Sequence, residues 1–371
     1  MTDLELLWSL IDKGKRGDNI GISTGIPKLD KLIGGIQPSR YYLCGAASSV
    51  GKTSFILFIM YNMLKNMSRL KPVYFLYLSL EIGADVLLAK LMSLYCAEEF
   101  GVYLTINDIL SFDYPISEQN YEYLKQAKKW IQSISNNICI IDKSVNASVI
   151  YRETLTFAEQ YGRFEDIDGK RHYIPNNPNQ LIIGVLDHFA LMQCAEGRTL
   201  KQEIDTASSY MVTLKRKLQM SWFVLMQQNR EASSMDRRKA DLSEPTLNDL
   251  RDSAGPSNDS DVVLQLFFPF REKLATYRGY RILGDNGFGQ ILRSCIVTKN
   301  RYGVANQVIC LNFYGTVGWW TESPPPEEIS NYSILHSEAA NIPCKKRKIV
   351  ENKDESASKQ AEDKKPIIFS F

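Results

Sequence analysis

The stretch from Tyr41 to Leu64 constrains this chain more than any other. An apolar strand, Tyr41 to Cys44, runs into a turn of small residues, Gly45-Ala46-Ala47-Ser48-Ser49-Val50, and then into Gly51-Lys52-Thr53 and a helical pattern that continues to Leu64. The spacing matches Gly-x-x-x-x-Gly-Lys-Ser/Thr, with Ala46 at the place of the first glycine. In this arrangement successive backbone N–H groups wrap a phosphate, and the helix N-terminus adds its dipole. Lys52 is placed to reach β- and γ-phosphates, and the Thr53 hydroxyl to ligate Mg²⁺. Ser48, Ser49, Val50, Gly51, Lys52, Thr53 and Ser54 are therefore the candidate set for binding ATP with Mg²⁺. Such a loop works only at the carboxyl edge of a strand, so the fold class is already narrowed to α/β.

The rest of the pattern agrees. Continuous apolar runs at 73–78, 138–141, 181–186, 222–226, 262–267 and 293–298 predict buried strands. Helical periodicity occupies 84–100, 117–133, 148–161 and 200–220, and 308–314 predicts a final antiparallel strand. Alternating segments of this kind predict a mostly parallel sheet with helices on both faces. Three regions follow. Residues 1–17 hold a short amphipathic helix, with Leu4, Leu7, Trp8 and Ile11 at helical spacing, and a glycine-rich joint. Its stripe must be covered by its own domain or by a neighbouring subunit. Residues 18–320 form the α/β domain, interrupted by polar loops at 163–180 and 231–261. Residues 321–371, opening on Pro324-Pro325-Pro326 and rich in Lys, Glu, Ser and Asp, predict a disordered tail.

Several classes are excluded by what is missing. No apolar run approaches the ~18–20 residues that span a bilayer. The first residues carry no positive segment followed by an apolar one, so the expected location is the cytoplasm, with no membrane partner. None of the seven cysteines shows Cys-x-x-Cys spacing, which argues for buried thiols and against a zinc or disulfide framework. The net charge of +2 leaves nucleic-acid binding to local patches.

Hydrolysis needs carboxylates beside the phosphate loop. Asp187 ends the buried strand Leu181 to Leu186 and is the candidate to hold Mg²⁺ through water. Asp142, after Ile138 to Ile141, has a similar setting and an alternative reading as a turn residue. Glu81 follows the strand from Val73 and is the candidate general base, its rival role being the acid at a helix start.

These motifs, taken in order, resemble the ATPase domain of the DnaB-type replicative helicases. The resemblance rests on Ser23-Thr24-Gly25 with Leu29-Asp30-Lys31-Leu32-Ile33-Gly34-Gly35, on Ser79-Leu80-Glu81, and on Asp187-His188-Phe189-Ala190-Leu191-Met192. It continues through Gln227-Gln228-Asn229-Arg230, Leu247-Asn248-Asp249-Leu250-Arg251-Asp252-Ser253 and Lys299-Asn300-Arg301-Tyr302-Gly303, and covers about 18–320. It implies a RecA-like P-loop NTPase core that moves 5′ to 3′ on single-stranded DNA as a hexameric ring. It implies that Gln227 reads the γ-phosphate, and that Lys299 and Arg301 act on the nucleotide of a neighbouring subunit. The first helix resembles the family's linker helix, which docks on that neighbour. Arg198 and Lys201 resemble a first channel loop; Arg251, Asp252, Ala254 and Gly255 resemble the second segment that touches DNA. The departures are Ala46, His188-Phe189-Ala190 where the family has Tyr-Leu-Gln, and the glycine shifted to Gly255. The family's N-terminal domain, which recruits primase, has no room before residue 18. A phage-like single-domain version is expected, in the host cytoplasm, served by a separate primase or loader.

Two alternatives share the core: a recombinase-like or regulatory DNA-dependent ATPase that does not unwind, and a scaffold that no longer hydrolyses. Lys215-Arg216-Lys217 and Arg293 are expected to face solvent, while Arg237-Arg238-Lys239 lies in the second long loop. In the tail, Lys345-Lys346-Arg347-Lys348 is either a localisation signal, a polyanion contact or solvated charge. The apolar tip at 366–371 is either a ligand for a partner's groove or a frayed end.

Overall fold

The computed structural model describes residues 3–167, 169–229, 237, 243–250, 254–284 and 287–345. Its elements in chain order are α1 (Asp3–Lys15), α2 (Pro27–Ile33), β1 (Tyr41–Ala46), α3 (Lys52–Asn66), β2 (Val73–Ser79), α4 (Ala84–Phe100), α5 (Ile106–Leu110), α6 (Glu118–Ser133), β3 (Ile138–Ile141) and α7 (Ala147–Glu159). Next come β4 (Gly162–Ile167), β5 (Lys170–Pro175), β6 (Leu181–Asp187), α8 (Leu200–Leu218), β7 (Ser221–Gln227), α9 (Gly255–Asp259), β8 (Val262–Phe267), β9 (Thr276–Tyr277), β10 (Tyr280–Arg281), β11 (Leu292–Asn300), β12 (Gln307–Tyr314) and β13 (Trp319–Glu322).

Nine strands form one sheet in the order β13-β12-β11-β8-β1-β7-β6-β2-β3. The six from β8 to β3 are parallel, and β11, β12 and β13 add an antiparallel edge. β1, β6 and β8 are buried along their whole length, because helices cover both faces. One apolar layer gathers Phe55, Phe58, Leu91 and Leu94 of α3 and α4; the other gathers Ile150, Phe157, Ile204 and Met211 of α7 and α8. The fold is thus α/β, with a mostly parallel central sheet between helical layers, as the RecA-like P-loop core requires. β1 sits between β7 and β8, so the chain leaves it at a point where strand order reverses. A crevice opens there, beyond the carboxyl ends of the strands.

Two stretches differ from their sequence reading, and a third is one that the reading leaves open. The polar loop expected at 163–180 contains the antiparallel hairpin β4–β5. Phe164 and Tyr173 pack edge to face across it, and the Tyr173 hydroxyl donates to Ala158 O at 2.9 Å. The domain does not stop at 320: β13 pairs with β12, and Leu335, Ile342 and Cys344 are buried against it. The tail is therefore folded as far as Lys345, whose ammonium meets Glu99 at 2.6 Å. The remainder of the basic run, 346–348, and the apolar tip at 366–371 lie outside the described residues. Finally, α1 does not lay its stripe on its own domain, since Leu4, Trp8 and Ile11 stay 70%, 62% and 48% exposed.

All seven cysteines are free thiols. Among the described residues no helix is long and apolar enough to cross a membrane, and no group of three or more His, Cys, Asp and Glu side chains is placed to hold a metal ion.

Candidate functional site

β1 delivers the chain to the crevice at Ala46, and the loop that follows turns through two left-handed residues, Ser49 at φ 61° and Gly51 at φ 112°. α3 then starts at Lys52 with no side chain capping it, so its first N–H groups remain open toward the crevice. Gly51 is wedged against aromatic rings: a β-carbon there would lie 3.0 Å from Trp320 Cζ2 and 3.3 Å from Phe313. Those two rings stack, with centroids 4.4 Å apart, and form a wall behind the loop. Arg293 braces it from the other side, its Nε donating to Val50 O at 3.2 Å and its guanidinium lying over the Phe268 ring. Burial holds this guanidinium down to about 9. Arg293 is therefore interior, not the solvent-facing charge its sequence context suggested, because β11 is buried on both faces from Leu292 to Thr298.

Lys52 folds back over the loop, with Nζ 3.3 Å from Ala46 O and 3.5 Å from Ala47 O. Burial lowers its pKa, against the pull of Cys44, Asp187 and Glu81. β2 and β6 are in register at Ser79 and Asp187, which brings Glu81 and Asp187 to the same edge. Asp187 is fully buried. Its Oδ2 accepts from Thr53 Oγ1 at 2.8 Å and from Tyr77 OH at 3.1 Å. Its Oδ1 is buried with no hydrogen-bond partner among the described residues. Burial raises its pKa, and the Thr53 and Tyr77 hydroxyls oppose that rise. A buried carboxylate oxygen left open beside a threonine hydroxyl is a donor set suited to a hard divalent cation. Glu81 stands just past β2, exposed, 3.7 Å from His188 Nε2. Asp142 is elsewhere, accepting from Ala84 N at 3.1 Å at the start of α4.

Gln227, at the end of β7, donates to Ser48 Oγ at 2.6 Å, and Arg271 donates to Ser48 O at 2.5 Å. The next residues of the Gln227 strand run into the second long loop: Asn229 N donates to Asp249 O at 2.8 Å, and Gln228 bonds Gln265, which bonds Thr246 O. The phosphate loop and the 246–250 segment are thus joined by hydrogen bonds. Beside Ser54 a cavity of about 160 Å³ opens between α3, α4 and the turn at 315–318.

The structure brings Ser48 to Ser54, Asp187, Glu81 and Gln227 to one crevice, and it adds Tyr77, Arg271, Arg293, Phe313 and Trp320. These last sit mid-strand or in loops with no motif around them; only strand register reveals them. Lys299 and Arg301 are not there. β11 runs antiparallel to β8, so its end, Asn300, pairs with Val262 at the start of β8, at the opposite edge of the sheet from the phosphate loop. About five residues of strand separate the two edges, roughly 16 Å. Lys299 Nζ donates to Ser257 O and Asn258 O at 2.7 and 2.9 Å, and Arg301 meets Asp261. Burial, with Arg301 beside it, lowers the Lys299 pKa.

The DNA-contact candidates form a separate group. Arg198 and Lys201 lie at the start of α8, Arg198 touching Glu203 at 3.5 Å. Ala254 and Gly255 begin α9, while Arg251, Asp252 and Arg230 lie outside the described residues. Arg237 is engaged by Asp249 at 2.5 Å.

Comparison with known proteins agrees with this geometry. The family model of the DnaB-like helicase C-terminal domain matches residues 21–320. A replicative DNA helicase DnaB of Helicobacter pylori is 26% identical over 281 residues, covering 75% of this chain and 48% of that protein. One from Buchnera aphidicola subsp. Baizongia pistaciae is 28% identical over 261 residues, covering 68% and 47%. The chain spans about half the length of these curated relatives. Among solved structures, one described as an ATPase domain superposes with a TM-score of 0.67 at 21% identity, over 87% of this chain and 99% of that one. A DnaB-like replicative helicase solved in a study of its interactions with primase gives 0.65 at 21% identity, over 87% and 67%. At that identity the likeness is one of fold.

Proposed function

The chain belongs to the DnaB-like helicase C-terminal domain family, and from that premise we propose that it hydrolyses ATP with Mg²⁺ to move along single-stranded DNA and unwind duplex DNA during replication. The observation that carries the reading is the buried Asp187, bonded to Thr53 and Tyr77 with one oxygen left open beside the phosphate loop.

In this reading the open N–H groups of α3 and the Lys52 ammonium hold the β- and γ-phosphates, and Gln227 contacts the γ-phosphate. The cavity beside Ser54 gives room to the ribose and base. Thr53, and Asp187 through water, would hold Mg²⁺, which when bound supplies positive charge to the phosphate oxygens. Glu81 accepts the proton of the attacking water at its carboxylate, and its charge, with that of Asp187, opposes the lowering of the Lys52 pKa by burial. Lys299 and Arg301 lie at the wrong edge to serve their own nucleotide, which supports action on a neighbour's γ-phosphate. A ring of copies meets that requirement, and the exposed stripe of α1 supplies a contact between them. Six copies, 5′ to 3′ movement and a channel lined by the 198–201 and 251–255 segments complete the proposal.

The test is a forked-DNA unwinding assay run beside ATPase rates with and without single-stranded DNA. DNA-stimulated hydrolysis with strand separation supports it. Stimulated hydrolysis without separation points to a recombinase-like or regulatory ATPase, and no hydrolysis to a scaffold.

A further inference from the structure

Lys215 carries a charge in a basic triplet near the end of α8, where sequence alone places it in solvent. It is instead 6% exposed, and its Nζ donates to Asp261 Oδ2 at 2.6 Å. Asp261 is itself 1% exposed and stands at the foot of β8. The same Oδ2 accepts from Tyr41 N at 2.8 Å, at the foot of the strand that ends in the phosphate loop. The other oxygen, Oδ1, accepts from Arg301 Nη1 at 3.1 Å, and Arg301 N donates to Asp261 O at 2.9 Å. One buried carboxylate therefore joins a helix, the central strand and the Arg301 turn.

The elements that meet there are the ones that carry the DNA-contact candidates. α8 begins two residues after Arg198, carries Lys201 in its first turn and reaches Asp261 through Lys215. Midway, Ser208 Oγ donates to Asp259 Oδ2 at 2.7 Å, which locks α8 to α9. α9 follows the 247–255 segment and presents the Asn258 carbonyl to Arg301 Nη2 at 3.2 Å. Two guanidinium N–H groups are thus engaged, leaving three of the five for a phosphate. The turn is fixed from behind as well: Arg40 stacks on Tyr302 with its guanidinium carbon 3.3 Å from the ring centroid, and Asn300 Nδ2 donates to Leu32 O at 3.0 Å.

The geometry points to Asp261 as a positioning residue for Arg301, and to the Lys215–Asp261–Arg301 junction as the joint through which DNA contact reaches the arginine. The inference rests on the reading of Arg301 as the group that completes a neighbour's site. A planar guanidinium held at two points keeps its remaining donors in one direction, and a shift of about 1 Å at such a group costs up to about a hundredfold in rate. Asp261 stands just before β8, at the opposite edge of the sheet from the phosphate loop that holds ATP in this reading, so its removal should act on turnover and not on ATP binding.

The test is the ATPase of the full chain, with and without saturating single-stranded DNA, in four variants. These are Asp261→Asn, the pair Asp261→Asn with Lys215→Met, Arg301→Ala, and Arg301→Ala with Asp261→Asn. The paired variant leaves no buried ammonium without its counter-ion, so it keeps the question answerable if Asp261→Asn alone fails to fold; circular dichroism monitors this. Asp261→Asn, or the pair, should lower DNA-stimulated kcat by about 10- to 100-fold while KM for ATP stays within about twofold. In the Arg301→Ala background the asparagine should cost nothing more, because the residue it positions is gone. Multiplying losses in that background, an unchanged kcat in a folded variant, or a raised kcat would each overturn the inference. If Arg301→Ala itself turns over normally, it is the reading of Arg301 that fails, and the role of Asp261 goes with it.

Discussion

Gly51→Ala tests whether the shape of the phosphate loop depends on its aromatic wall. Gly51 holds φ at 112°, a conformation that costs a residue with a β-carbon about 1–3 kcal/mol. The new methyl would also lie 3.0 Å from Trp320 Cζ2 and 3.3 Å from the Phe313 ring, inside normal contact distance. Neither ring has an easy retreat. Trp320 is 1% exposed, stacked on Phe313 and set edge-on to Phe55 at 5.1 Å between centroids. Overpacking of this kind costs about 1–3 kcal/mol, so the total is about 2–6 kcal/mol. The protein can bear it in two ways. If the loop holds its shape, urea denaturation should show that loss of stability. If the loop moves off the wall, affinity for a fluorescent ATP analogue should fall by about 30- to 20,000-fold at about tenfold per 1.4 kcal/mol. A variant that loses neither about 0.5 kcal/mol nor about threefold in affinity, thresholds set at roughly the scatter of surface substitutions, would refute the account of the loop.

Glu81→Gln should keep ATP binding and lose about 10²–10⁴ in turnover, the usual contribution of a positioned base; equal turnover would remove Glu81 from that role. Deleting residues 1–16 should lower the oligomer mass by light scattering and leave the circular dichroism of the α/β domain unchanged. The uncovered Leu4, Leu7, Trp8 and Ile11 are worth about 1.5–3 kcal/mol each on burial, and a ring repeats the contact at every interface. Burial lowers the Lys52 pKa, so the ammonium proposed to hold the phosphates is lost at a lower pH than for a solvated lysine near about 10.4. Nucleotide affinity measured from about pH 7 to 10 should therefore decline before that value, and Lys52→Arg, which stays charged, should flatten the decline.

The sheet was legible because buried parallel strands are written as continuous apolar runs, and the runs at 73–78 and 181–186 became β2 and β6 nearly residue for residue. The position of Asp187 at the carboxyl end of β6 followed from the apolar run before it. Where one face of an element is wet the signal weakens: β4–β5 reads as a polar loop, because Arg163, Glu165, Lys170 and Arg171 outnumber the apolar Phe164 and Tyr173 that pair across it. The stretch from Pro324 to Lys345 was hidden by its proline and charge, since its buried apolar anchors, Leu335, Ile342 and Cys344, are few and widely spaced. Long-range charge pairing was not legible at all. Lys215 and Arg293 look like solvated charges because their partners, Asp261 at one and Val50 O with the Phe268 ring at the other, are 46, 243 and 25 positions away and meet them only in the folded sheet.

The central claim is that each nucleotide site is built from two copies of the chain, one offering the phosphate loop and the other Arg301. Mixing Lys52→Ala, which keeps a good arginine, with Arg301→Ala, which keeps a good loop, tests it most directly. Each alone should hydrolyse ATP poorly. Mixed assemblies, shown to be mixed by differential labelling, should regain activity at interfaces that join the two intact halves. Activity no greater than the sum of the separate variants, in assemblies proven to contain both, would contradict the claim.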